Sequence, residues 1–294
     1  MTTARPGSPT LSCVVLTRGD RPVELARALD SVRRQHGAPV QVVVVVNGAG
    51  EVLVPDGAEV LELPENLGIP GGRNAGVERT TGEVVLFLDD DGWLPDTDVA
   101  ERLRGLFAGD PALGVVSLRI VDPETGATER RHVPRLRAGQ PGRSSEVTTF
   151  LGGACAIRRE ALARCGPFAA GFFYGHEETD FAWAALDAGY RVRYEAGLVM
   201  HHPGGAASAR HAMFYRLTAR NRVWLARRRL PAPLAPVYLL VWTALTVARE
   251  RRAVALRPWL GGFVAGLREP AGPRQPIRWR TVWRMTRLGR PPVI

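Results

Sequence analysis

Apolar positions along the chain follow two rhythms. Short unbroken runs at Leu11–Thr17, Val40–Val46, Val60–Leu63, Val84–Leu88 and Gly114–Val121 predict strands. The nearly pure valine run predicts a strand buried on both faces, as in the centre of a parallel sheet. Between the runs, apolar residues recur at helical spacing: Leu25, Ala28, Leu29 and Val32 lie within a helix from Val23 to about Gln35, closed by Arg33, Arg34 and Gly37. Thr97–Phe107 and Phe181–Ala188 repeat that pattern, Arg191–Glu195 is strand-like, and Thr125–Ser145 is a polar, Arg-rich excursion. The order β, α, β, β, α, β predicts an α/β fold with a Rossmann-like open twisted sheet flanked by helices.

Candidate chemistry sits at the ends of these elements. Val84–Leu88 runs into Asp89-Asp90-Asp91-Gly92-Trp93. Adjacent carboxylates at the carboxyl end of a buried strand repel one another unless a cation or ligand hydroxyls compensate them. Mg²⁺ or Mn²⁺ shared with a diphosphate meets that need; an acidic turn capping the next helix is the alternative. Pro64–Gly76 carries Gly68, Gly71, Gly72 and Gly76, suited to close backbone approach to a ligand or to a plain connection, with Arg73 and Asn74 near a helix start. It has neither the dinucleotide nor the P-loop spacing. In His176-Glu177-Glu178-Thr179-Asp180 the helix dipole accounts for Asp180 and leaves Glu177 and Glu178 to face a cleft. One of the adjacent His201 and His202 could complete a metal site opposite the aspartates.

Four stretches, in this order, resemble the family 2 glycosyltransferases of GT-A fold. They are Asn66-Leu67-Gly68 with Gly71-Gly72-Arg73-Asn74, Leu88-Asp89-Asp90-Asp91, Gly152-Gly153-Ala154-Cys155-Ala156-Ile157-Arg158-Arg159, and Glu177-Glu178-Thr179-Asp180-Phe181 leading to His201. The resemblance covers roughly Leu11 to Arg229 and is closest to the rhamnosyl- and galactofuranosyltransferase-like branch. It implies an inverting, metal-dependent transfer of a hexose from dTDP-rhamnose or a UDP-sugar to a hydroxyl of a cell-envelope glycan precursor. Carried over by residue, Asp89, with Asp90 beside it, would meet the nucleotide ribose, and Asp91 would bind Mn²⁺ or Mg²⁺. His201 would be the second protein ligand, with His202 its competitor. Glu178 matches the general base, flanked by Glu177. Thr17, Arg18 and Arg21 match the base-binding loop, and Asn66, Gly72, Arg73 and Asn74 belong to the donor side. Two departures stand out: Val46 replaces the family's usual Asp, with Asn47 as its substitute, and Glu replaces Asp as base, leaving open which glutamate reaches the acceptor.

Composition changes the picture in the last third. With 294 residues, 45% hydrophobic and 23% charged, the chain is no disordered protein and has room for a GT-A domain at 10–230 and a basic, amphipathic helical extension at 231–294. The net charge is +10, yet Pro203–Ile294 holds 18 Arg against Glu250 and Glu269, a net +16, which leaves −6 for the rest. Pro236–Ala248 is apolar but far short of the roughly 20 residues that span a bilayer. Its basic flanks and Tyr238, Trp242 and Trp259 predict either a helix lying on an anionic leaflet or a helical hairpin packed on the body. The expected partners are therefore a nucleotide-sugar donor, a glycan or polyprenyl-diphosphate-linked acceptor and an anionic membrane surface, with no nucleic acid. Cys13, Cys155 and Cys165 are odd in number and Met1–Thr10 has no signal-peptide core, which predicts a cytoplasmic protein, peripheral on the inner face of the membrane. The rivals are a sugar-phosphate nucleotidyltransferase, which would want a glycine-rich loop where Thr17–Pro22 has only Gly19, and a non-catalytic Arg-rich protein binding nucleic acid or membrane.

Overall fold

The computed structural model describes residues 8–48, 52, 54, 57–136, 140–204, 212–250 and 252–294. Ala49 and Gly50 of the turn expected after Val46, with Gly205 and His211, lie outside them. Strands β1 (Leu11–Thr17), β2 (Gln41–Asn47), β3 (Glu59–Leu63) and β4 (Val84–Asp89) are parallel, and helices α1 (Pro22–Arg33) and α2 (Gly68–Arg79) make crossovers. Beyond β4 the sheet turns mixed. β7 (Ala154–Arg158) runs antiparallel between β4 and β5 (Leu113–Val121), and β8 (Arg191–His201) and β6 (Ser145–Glu146) complete the order β3-β2-β1-β4-β7-β5-β8-β6.

Alternation along the strands divides the core in two. Val43, Val45, Val85 and Phe87 face a cluster with helices α4 (Arg159–Cys165), α5 (Glu177–Asp187) and α6 (Ala212–Arg229), represented by Leu162, Phe181 and Leu225. Val42, Val44, Leu86 and Leu88 face α1 and α3 (Val99–Gly109) through Leu25, Leu29, Leu103 and Phe107. The valine run is thus buried on both faces, as its pattern predicts.

The glycine-rich stretch, expected either to approach a ligand or to be a plain connection with a helix starting near Arg73, is itself largely the helix α2, which begins at Gly68. A Cβ on Gly76 would lie 2.5 Å from Val14 and 2.9 Å from Val45, and one on Gly72 would overlap Leu16. The glycines serve to lay α2 directly on β1 and β2.

The C-terminal helices α7 (Leu234–Arg249), α8 (Ala253–Arg268) and α9 (Trp279–Arg287) pack on the body. Ala255 and Trp259 of α8 cluster with Tyr215 and Ala219 of α6, and Gly262 and Gly266 let the two backbones touch. Tyr238 of α7 meets Trp183 edge-on, with ring centroids 6.2 Å apart. The opposite sides of α7 and α8 expose Val237, Leu240, Val247, Val254, Leu260 and Leu267. Among the described residues no helix is long and apolar enough to cross a membrane.

Candidate active site

β4 ends at Asp89, and the chain turns there, the amide of Gly92 donating to the Asp89 carbonyl at 3.0 Å. Trp93 then exchanges backbone hydrogen bonds with His201, at 3.0 and 2.8 Å, stitching the aspartates to the end of β8. This puts Nε2 of His202 3.1 Å from Oδ1 of Asp91. Nδ1 of His202 lies 2.8 Å from the Pro203 carbonyl, which can only accept, so Nδ1 carries the hydrogen and Nε2 is the ring atom turned to the site. Asp89, Asp91 and His202 each offer one ligand atom, all within 4.8 Å of one another. Oxygen and imidazole donors in that grouping fit Mn²⁺ or a similar divalent cation.

His201, the ligand favoured by the family pattern, is not in the group. Successive strand residues point to opposite faces, and its ring is turned edge-on to Trp93, centroids 5.4 Å apart. The competitor His202 takes the position.

Arg21 contacts Asp91 directly and Asp90 at 3.6 Å. Asp90 is buried and accepts from the Thr17 hydroxyl at 2.7 Å; burial pushes its carboxyl up to about 6. For Asp91 burial acts in the same direction, but the hydrogen bond from His202 and the charges of His202 and Arg21 outweigh it and hold the carboxyl below its usual range. The same hydrogen bond, opposed by burial, raises His202.

The second acidic cluster converges on the first through Arg73. This guanidinium is only 4% exposed and reaches three carboxylates from separate segments: Asp89 at 3.4 Å, Glu177 at 3.5 Å and Glu178 at 3.7 Å. Burial opposes its charge, and the three acids together overcome that. Glu177 is 1% exposed and neither carboxyl oxygen has a hydrogen-bond partner; burial, then its neighbour Glu178, push it up to about 8. The Glu178 side chain is 22% exposed, so it is the glutamate that a ligand can reach.

Gly152 and Gly153 make this approach possible. A Cβ on Gly153 would overlap the Asp89 carboxylate, and one on Gly152 would overlap Arg73 and lie 2.5 Å from Glu178 Oε1. The sequence shows a glycine pair; only the fold shows that its backbone fills the space between two acidic clusters.

Other expected site residues are engaged elsewhere. Asn47 donates to Asn66 Oδ1 at 3.1 Å and to the Gly68 carbonyl at 3.0 Å, and accepts from Leu67 at 2.9 Å, so it pins the start of α2. Asn74 holds Phe168 by both ends of its amide, at 2.8 and 3.0 Å. Gly72 packs on β1, and Arg18 is exposed beside Thr17.

Two positioning features have no local sequence signal. The turn before α5 holds Phe173 and His176 at φ 63° and 72°, left-handed values that side chains other than glycine adopt only under constraint. The constraint is Asn221, fully buried in α6, whose Nδ2 lies 2.8, 2.9 and 2.9 Å from the carbonyls of Phe172, Tyr174 and Gly175. One turn into α5, Asp180 is gripped by Arg228 and Arg229 of α6; burial works against its charge, but the two guanidinia keep its carboxyl below the usual range. Both contacts cross more than 40 residues, beyond any window of local pattern.

The family described as Glycosyl transferase family 2 matches residues 12–166, more than half of the sequence. The chain belongs to that family. It is 31% identical, over 157 residues, to pre-mycofactocin glycosyltransferases of two Mycobacterium tuberculosis strains, CDC 1551 / Oshkosh and ATCC 25618 / H37Rv; the match takes in 49% of this chain and 32% of each relative. The chain spans about a third of the length of these curated relatives. Among solved structures, the mannosyltransferase PcManGT of Pyrobaculum calidifontis, in complex with GDP-Man and Mn²⁺, superposes with a TM-score of 0.58 at 21% identity, covering 95% of this chain and 84% of that one. S. aureus TarS 1–349 in complex with UDP-GlcNAc superposes with a TM-score of 0.59 at 14% identity, covering 89% and 82%. At such identities the likeness bears on the fold alone, which is that of the GT-A glycosyltransferases.

Proposed function

We propose that this family 2 member is a metal-dependent, inverting glycosyltransferase that moves a hexose from a nucleoside-diphosphate sugar to an acceptor hydroxyl. The observation that carries the reading is the Arg73 junction, which sets Asp89 of the cation-type cluster and the reachable carboxylate of Glu178 on one guanidinium. A divalent cation held by Asp89, Asp91 and His202 supplies, when bound, Lewis-acid neutralisation of a leaving diphosphate.

The chain's own residues account for the rest. Glu178 takes the proton of the attacking hydroxyl, a contribution of about 10²–10⁴ in rate. Arg73 lies 3.7 Å from its carboxylate and ties it to Asp89, while burial pushes the neighbouring Glu177 carboxyl up. A single base acting in one displacement inverts the anomeric centre. Thr17, Asp90 and Arg21 shape the nucleotide side, with Thr17 fixing Asp90.

Solved GT-A proteins holding GDP-Man and UDP-GlcNAc support a nucleotide-sugar donor. The Glu-Glu-x-Asp segment supports the rhamnosyl- or galactofuranosyltransferase-like branch, and the basic C-terminal third suits a glycan precursor carried on a polyprenyl diphosphate. The test is Glu178→Gln. Mn²⁺-dependent binding of the nucleotide sugar is expected to persist while turnover falls by about 10²–10⁴. A variant of undiminished turnover rejects the assignment.

A further inference from the structure

On the far side of the Glu178 turn, the start of α5, helices α6 and α7 and the residues after α9 enclose a cavity of about 70 Å³. Arg222 of α6 and Arg290, which follows α9, both line it. Among the described residues neither guanidinium has an ion pair; Tyr238 acts on both, and Arg130 and Arg222 oppose the charge of Arg290. Nη1 of Arg222 is buried without a hydrogen-bond partner, and so is Nε1 of Trp242, another lining residue. Both are donors.

Several other enclosed arginines have their charge met by carboxylates or carbonyls. Arg73 has three carboxylates, Arg228 and Arg229 share Asp180, and Arg158 donates to the carbonyls of Phe107, Asp110 and Leu113. Stacking of Arg222 on the Trp242 ring, 3.7 Å from its centroid, offsets part of the cost of withdrawing the charge from water but satisfies none of its hydrogens. What the cavity lacks is a guest rich in acceptors and negative in charge. Thr148, Thr149 and Thr179 also line its wall. A water needs roughly 10–15 Å³ of such space, so the cavity is ample for one tetrahedral group.

We infer that this cavity binds an oxyanion of the phosphate class between Arg222 and Arg290. The site is separate from the Asp89, Asp91 and His202 cluster, yet it touches the base-bearing turn: Thr179 follows Glu178 directly, and its hydroxyl meets that of Thr149 at 3.0 Å. An anion there draws α5, α6 and the C-terminal residues onto one charge. The guest is either a free phosphate ion or the phosphate of a larger ligand entering past Pro291 and Pro292.

The experiment titrates the full chain with inorganic phosphate in EDTA, so that no cation bridges phosphate to the aspartates, with ionic strength held constant by chloride. Saturable stabilisation is expected in the wild type and equally in Asp91→Asn, with binding at least tenfold weaker in the double variant Arg222→Gln, Arg290→Gln. That variant sheds two uncompensated charges and is expected to melt in chloride no lower than the wild type, as followed by circular dichroism. Geranyl phosphate titrated in parallel identifies the source: tighter binding than inorganic phosphate assigns the site to an esterified phosphate, weaker binding to the free ion. A wild type that phosphate does not stabilise, or a double variant that binds as well, overturns the inference. Should the double variant fail to fold, a selenate soak of wild-type crystals decides: an anomalous peak between the two guanidinia is expected, and its absence overturns the site. A peak without affinity in solution is an adventitious ion only and overturns it too. None of these readouts depends on transferase activity, so a failed glycosyl transfer leaves them intact.

Discussion

His202 illustrates how far one residue's geometry reaches. With Nδ1 committed to Pro203, its Nε2 is open to either a proton or a cation, and Asp91 favours the proton by raising the imidazole above its ordinary value. Protonation therefore competes with metal as pH falls through that raised value, and Mn²⁺ affinity is expected to drop by up to about tenfold per pH unit below it. Isothermal titration at pH 8 and pH 6 checks this. His202→Ala should weaken binding and flatten the pH dependence, while His201→Ala should do neither; equal losses in the two variants would sink the choice between them. The sequence alone could not make that choice. Whether the first or the second histidine faces the aspartates depends on where β8 ends and on its bridge to Trp93, and a shift of one position reverses the answer. Two acidic clusters, by contrast, were legible, because Asp89–Asp91 end the apolar run of β4 and Glu177 and Glu178 precede that of α5; which glutamate is the more exposed was not.

Among the elements, α5 and α6 are joined by a buried ion pair whose breakage has a clear sign. Asp180→Asn leaves Arg228 and Arg229 facing an uncharged amide in an enclosed place, and the expected loss of stability is about 3–5 kcal/mol, measurable by urea unfolding. A loss under about 1 kcal/mol would mean that the guanidinia find water instead. The sequence supports capping of α5 by Asp180 equally well, since its partners lie 48 and 49 positions away. Strands β1, β2 and β4 were readable from composition, as unbroken apolar runs have few alternatives in an α/β chain. The start of helix α2, at Gly68, was not, because glycines that let a helix touch a sheet look, in one dimension, like glycines that let a loop bend.

At the scale of the whole molecule, charge and exposed apolar surface coincide. The region from Pro203 carries +16, and α7 and α8 present Val237, Leu240, Val247, Val254 and Leu260 outward, while α9 exposes Trp279 and Trp283. This surface supports docking of residues 231–294, proposed as an extension of the catalytic domain, on an anionic bilayer. Sedimentation with vesicles containing phosphatidylglycerol is expected at low salt and reversal in 0.5 M NaCl, with each engaged arginine worth about 1 kcal/mol. Binding indifferent to lipid charge would argue for a purely structural role of these helices.

The clasp of Asn221 on the turn before α5 bears on how the protein is made. Strands β1, β2 and β4 can pair while the ribosome is still adding the middle of the chain, but the clasp on the left-handed turn ahead of Glu178 forms only once position 221 has emerged. The turn ahead of Glu178 is thus completed last, and a chain interrupted near residue 210 would lack the side chain that clasps it.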